Sequence, residues 1–203
     1  MFHVKQLTEQ IFPAEKLLKK YEDLVKKWQK AVNLVAHNEL NSIWERHILD
    51  SAQIYFEIPK ESRVLVDLGS GGGFPAVVIA ILNKVLNGSL EKIVLVESDN
   101  KKTVFLKEVS RILDLNLTIL NSRIEDVDGL TADVITSRAL GKVQLLLDLS
   151  KNFNKKDTLF LLLKGEKVDL ELSEVRYRFK SEKKQSKISN TGCILKISEV
   201  DYL

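Results

Sequence analysis

The chain has 203 residues, 44% hydrophobic and 29% charged, with 31 Lys and Arg against 28 Asp and Glu. That is enough apolar content for one core, short for two full domains and too apolar for a disordered chain. A net charge of +3 permits a polyanionic partner without requiring one, and a single cysteine, Cys193, excludes an intrachain disulfide or a thiol pair for redox or metal chemistry.

Residues 1–10 lack the basic and apolar stretches of a secretory signal. The longest apolar run, 76–82, is far short of the roughly 20 residues that span a bilayer. A cytoplasmic protein with no membrane contact and no metal is expected, with a monomer as its simplest state. Leu17, Tyr21, Leu24, Val25, Trp28 and Val32 recur at three- and four-residue spacing, which predicts a helix with a buried stripe. After a break at 33–38, a second helix is expected over about 40–56, with Trp44, Ile48, Ala52 and Tyr55 on one face. Pro59 closes it, because proline disfavours helix at the residue before it. In that helix Arg46 would face Asp50 and His47 would face Ser51. Residues 1–58 therefore read as a helical appendage, and 59–203 as the core unit.

From Arg63 onward, short β-rich runs at 64–67, 93–97, 117–120, 134–136 and 159–163 alternate with helical patterns. Strand and helix in alternation predict right-handed βαβ units and an α/β doubly wound, mainly parallel sheet. Beyond Gly165 the pattern weakens; 177–179 and 194–197 could form a late hairpin at the sheet edge. Between them, residues 176–187 hold six cations and one acid.

The most informative stretch is the apolar strand from Val64 to Asp67, followed by Leu68-Gly69-Ser70-Gly71-Gly72-Gly73-Phe74-Pro75. Glycines allow positive φ and close approach of backbone to a ligand, and Pro75 suits a helix start. A dinucleotide fingerprint needs glycine at the first, third and sixth positions, but Phe74 occupies the sixth. No Gly-Lys-Ser/Thr follows, so a P-loop is excluded too. Acid-x-Gly-x-Gly-x-Gly instead resembles the first motif of the class I methyltransferases. There, Asp67 would suit the cationic amino group of the cofactor's methionine part, directly or through water. Glu97 ends the second strand, where an acid accepts hydrogen bonds from ribose hydroxyls; that serves NAD and S-adenosylmethionine equally.

Further segments narrow the resemblance: Trp-x4-Asn-Leu at 28–34, Arg-His-Ile-Leu-Asp-Ser at 46–51, Glu97-Ser98 with Lys101-Lys102, Ser-Arg-Ile-Glu at 122–125, Ser-Arg-Ala at 137–139 and Leu-Lys-Gly at 163–165. In this order and spacing they are similar to the glucose-inhibited division protein B, or RsmG-type, small-subunit ribosomal RNA methyltransferases, over about residues 15–170. The resemblance implies a class I methyltransferase (Rossmann-like) fold and S-adenosylmethionine as methyl donor. It also implies methylation of guanine N7 in small-subunit rRNA near the decoding site. It puts Gly69 and Phe74 against the cofactor, beside the Gly71 and Glu97 already read there from the loop and the strand end, with Ile124 and Glu125 near the adenine and Arg138 where cofactor and base meet. The family usually has glycine where this chain has Ala76, and the tail beyond Val168 matches poorly.

Guanine N7 carries an exposed lone pair, so the reaction needs alignment more than a general base. Arg138 is the first candidate to contact the base at O6 or phosphate, and Lys164 the second. Arg46 and His47 are candidate walls of a base pocket. Lys183, Lys184 and Lys187, with Arg176, Arg178 and Lys180, are candidate grips on the backbone of rRNA or an assembling 30S particle. Two other readings share the fold: a methyltransferase for a protein or small molecule, and a non-catalytic RNA-binding assembly protein.

Overall fold

Apolar side chains along the strands alternate between two faces, and each face carries its own helices in the computed structural model, which describes residues 2–202. Strands β1 (Val64–Leu68), β2 (Lys92–Glu97), β3 (Leu117–Asn121), β4 (Val134–Arg138) and β5 (Leu159–Lys164) are parallel. β6 (Arg178–Gln185) and β7 (Cys193–Asp201) form an antiparallel hairpin whose second strand pairs with β5. The order across the seven-stranded sheet is β3-β2-β1-β4-β5-β7-β6. This is the doubly wound α/β arrangement expected, with the late hairpin closing one edge.

The period of two is explicit in the packing. Leu65, Ile93, Leu95, Val134 and Leu161 enter one core, while Val66, Val94, Val96, Ile135, Phe160 and Leu162 enter the other. On the first face lie α1 (Phe2–Ile11), α2 (Glu15–Trp28), α3 (Asp50–Tyr55), α4 (Ala76–Val85) and α5 (Asn100–Ile112). On the second lie α6 (Val143–Leu149) and α7 (Val168–Ser173). The Asp99 side chain caps α5 by accepting from the Lys102 N–H at 3.0 Å.

The N-terminal helices are built into the first core. Leu7, Ile11, Leu18, Tyr21 and Val25 are fully or almost fully buried against the same cluster as Val77 and Leu106. The expected helix over 40–56 is irregular. It comprises a 3-10 segment at His37–Ser42, a π-helical turn at Trp44–Leu49, and only then α3. The wider π turn advances the helix face, so Arg46 and His47 do not meet Asp50 and Ser51 as the α spacing predicted.

The late strands are longer than expected, because polar edge residues hide them from a hydrophobic pattern. β6 is exposed at nearly every residue, and its lysines protect an open sheet edge from pairing with other chains.

Candidate active site

Chain order reverses between β1 and β4: β2 and β3 lie to one side of β1, β4 and β5 to the other. Ligands of open α/β sheets bind in the crevice at the carboxyl ends of such strands. The glycine turn follows β1 and lies in this crevice. Gly69 and Ser70 donate their N–H groups to the Val96 carbonyl at 3.0 and 3.1 Å, tying the turn to β2.

Gly69, Gly71 and Gly73 have φ of +67°, +54° and +92°. A Cβ on Gly73 would lie 2.6 Å from Val77 Cγ2 and 2.9 Å from the Tyr21 hydroxyl, so protein packing demands this glycine. Tyr21 also donates to the Gly72 carbonyl at 2.5 Å, a contact the apolar stripe on α2 did not announce. On Gly71 a Cβ would meet nothing closer than the Gly69 carbonyl at 3.8 Å. That side of the turn is open.

Glu97 is 8% exposed, and its carboxylate holds the turn from below. Oε2 accepts from the Gly71 N–H at 2.7 Å and Oε1 from the Asp99 N–H at 2.8 Å. Each oxygen keeps a lone pair for a further donor. Asp67, by contrast, is fully buried on the Leu65 face of β1. Its Oδ1 accepts from the Thr136 hydroxyl at 2.7 Å, and its Oδ2 has no partner. Burial lifts its pKa from 3.8 to about 7. It does not reach the crevice, which corrects the expectation that it contacts a cofactor's amino group directly.

Two cavities meet here. The larger, about 470 Å³, is lined by Gly69, Glu97, Lys102, Ile124 and Glu125, among others, and ends at Arg138 and Ala139. The smaller, about 320 Å³, begins at Arg138 and Ala139 and runs past Ser70, Gly72 and Phe74 to His47, Glu39 and the 34–36 segment. Ala139 has φ +56°, an uncommon conformation for a residue with a Cβ, in the segment that carries the chain out of β4 between the cavities.

Arg138 is held from behind. Its Nη1 donates to His47 Nδ1 at 2.8 Å and its Nη2 to the Arg46 carbonyl at 2.8 Å. Since a guanidinium can only donate, Nδ1 carries no proton, and His47 Nε2–H donates to Glu39 Oε2 at 3.0 Å. Burial and the Arg138 charge push the His47 pKa down to about 4, against the pull of Glu39. The ring is therefore neutral and fixed in one tautomer, and it packs on Phe74 with centroids 4.9 Å apart. Arg46 Nη2 completes the group at 2.9 Å from Glu39 Oε1.

The crevice thus brings together Gly69, Phe74, Glu97, Ile124, Glu125, Arg138 and His47. Gly71 lines neither cavity but binds Glu97. His47 is 6% exposed with both ring nitrogens engaged, so it backs Arg138 while its ring edges the smaller cavity. Lys164 lines neither cavity: its Nζ donates to the Gly141 carbonyl at 2.6 Å and pairs with Glu171 at 2.7 Å. The acid on α7 captures it, so it braces the loop after β4. Lys183 and Lys184 pair with Asp169 and Glu57, away from both cavities. Lys187 donates its backbone N–H to Gln53 at 2.6 Å. Glu39 was missed by sequence reasoning, because it sits in an irregular segment that carries no periodic signal.

Residues 14–194 match the family described as rRNA small subunit methyltransferase G. The chain is 41% identical over 184 residues to the ribosomal RNA small subunit methyltransferase G of Dinoroseobacter shibae, covering 90% of this chain and 94% of the relative. Against the protein of the same name from Rhodospirillum centenum, identity is 38%, over 89% of this chain and 82% of the relative. Among solved structures, a SAM-dependent methyltransferase from Aquifex aeolicus superposes with a TM-score of 0.59 at 16% identity, over 77% of this chain and 92% of that one. M. jannaschii TYW2, solved in complex with AdoMet, gives 0.56 at 17% identity, over 77% and 76% of the two chains.

Proposed function

The chain belongs to the rRNA small subunit methyltransferase G family, and on that footing we propose that it transfers the methyl group of S-adenosylmethionine to N7 of a guanine in small-subunit rRNA. The observation that carries this reading is that the two cavities join at Arg138 and Ala139, so that a cofactor running through both would present its methyl group at that border.

The residues present fit the cofactor. Gly71 leaves an open face on the turn, Glu97 has lone pairs free at the mouth of the larger cavity, and the absent sixth glycine removes the case for a dinucleotide. S-adenosylmethionine supplies an electrophilic methyl group on a sulfonium. In this reading Glu97 accepts from the ribose hydroxyls, Ile124 and Glu125 flank the adenine, and Gly69 and Phe74 border its path. Arg138 donates to guanine O6 and holds the N7 lone pair in line with the methyl group. No side chain needs to take a proton from N7, which agrees with a His47 whose two nitrogens are already committed.

The same reading makes Arg46 and the lysines of β6 contacts for the RNA backbone. In this reading the protein works in the cytoplasm, as a monomer, on rRNA or on an assembling 30S particle. No helix of the described residues is long and apolar enough to cross a membrane.

Labelled S-adenosylmethionine offered with undermethylated small subunits, large-subunit rRNA and bulk protein tests the substrate class. Label should enter small-subunit rRNA alone; label in protein would favour the other methyltransferase reading. Arg138→Ala should cut transfer by well over tenfold, about 1.4 kcal/mol in the barrier, with circular dichroism unchanged. Near-normal turnover at saturating substrate would return Arg138 to a structural role.

A further inference from the structure

We infer that Glu39 is the residue that receives the α-ammonium group of the cofactor's methionine half, and that the smaller cavity is where that half lies. The inference rests on the cofactor reading above. It adds a ligand contact from the irregular segment between α2 and α3.

Elimination among the acids leads there. Asp67, at the strand end, is sealed beneath the turn and is out of reach. Three carboxylates line the two cavities: Glu97 and Glu125 in the larger one, Glu39 in the smaller. If the adenosine occupies the larger cavity, its 5′ side can continue past Gly69 toward Arg138, where the smaller cavity adjoins along the glycine turn. That cavity offers one anion, Glu39, and one cation, Arg138, at its border, together with the Ser70 and Gly72 stretch of the turn. An amino-acid zwitterion is complementary to that set, with its ammonium at Glu39 and its carboxylate toward the guanidinium.

The geometry leaves Glu39 able to accept. Its Oε1 is paired with Arg46 and its Oε2 with His47, one partner each, so each oxygen keeps a free lone pair. Its side chain is 19% exposed, enough to reach a ligand and still largely out of water. His47 links it to Arg138 in a chain of fixed polarity: Arg138 donates to Nδ1, and Nε2–H donates to Glu39. The two ends that would grasp the zwitterion are therefore spaced by one rigid ring packed on Phe74. This also gives a function to the 34–39 segment, which nothing in its hydrophobic pattern explains.

Calorimetric titration of three ligands against the parent and Glu39→Gln tests it: S-adenosylhomocysteine, its deaminated analogue that keeps the carboxylate, and 5′-methylthioadenosine, which lacks the whole amino-acid end. Glu39→Gln should weaken S-adenosylhomocysteine by tenfold or more and change the other two by less than twofold. Glu39→Asp, which keeps the charge at shorter reach, should fall between. An equal loss with all three ligands in both variants would show that Glu39 only shapes the pocket. Unchanged affinity for all three, with a raised KM for rRNA, would place Glu39 against the target base. Either result overturns the assignment. If the parent binds none of the three, the cofactor reading fails first, and that outcome is distinct from a failure at Glu39 alone.

Discussion

Asp67 and His47, both buried beside the glycine turn, tie stability to pH in opposite senses. Asp67 has its pKa raised by burial to about 7 from 3.8, so between those values the folded state holds a proton that the unfolded chain has lost. Its contribution is present below the unfolded value and is lost as pH rises through 7. His47 has its pKa lowered by burial and by Arg138 to about 4 from 6.5, so its contribution is present above 6.5 and lost as pH falls through 4. The windows overlap, and the parent should show a flatter profile than either group alone. Asp67→Asn, which keeps an acceptor for the Thr136 hydroxyl, removes the first contribution. Urea denaturation at pH 4.5 and pH 8 should show the variant gaining on the parent at the higher pH by more than about 1 kcal/mol. An identical difference at both pH values would contradict the burial of an uncharged Asp67. At this scale Gly69, Glu97 and Arg138 were legible, because motif and strand end mark them. Asp67 lies at the end of the same strand, but strand alternation gives it the face of Leu65, and the helices over that face exclude it from the crevice.

Among the elements, the β6–β7 hairpin is packed through β7 and fastened at its turn by polar contacts. Its turn docks on α3 through Gln53, which accepts from the Lys187 N–H and donates to Ser186 Oγ at 3.1 Å and Asp50 Oδ1 at 3.0 Å. Gln53 is 4% exposed, so Gln53→Ala would strand a backbone donor and cost about 1 to 3 kcal/mol. Amide exchange at residues 186–192 should quicken more than exchange in β1. Uniform quickening would mean the hairpin has no separate anchorage. On β6 the Lys183–Asp169 pair is exposed and weak and can yield to phosphate, whereas Lys184 is held by the largely buried Glu57, which also pairs with Lys196. If they grip RNA, replacing Lys183, Lys184 and Lys187 with glutamine flattens the log–log salt dependence of RNA affinity by about two units. Cofactor affinity stays constant. An unaltered slope would leave the strand as a solvated edge. The parallel strands were easy to read because both their faces are apolar. β6 was hard to read because neither face is, and the π turn before α3 was illegible because its residues keep ordinary helical composition.

In the whole molecule, the N-terminal helices and the sheet share a core. We propose that residues 59–203 do not fold alone, since the Val77 and Leu106 face would lose Leu18, Tyr21 and Val25. The same helices bring Glu39, Arg46 and His47 over the switch point of the sheet, so the site is assembled from both parts of the chain. The most direct test of the proposed reaction uses the chemistry of its product. N7-methylguanosine makes an RNA strand cleavable by borohydride and aniline, whereas methylation at other guanine positions does not. Small-subunit rRNA methylated by the parent should break at a single site, and RNA treated with Arg138→Ala should stay intact. Methyl label in the RNA without strand scission would contradict transfer to N7.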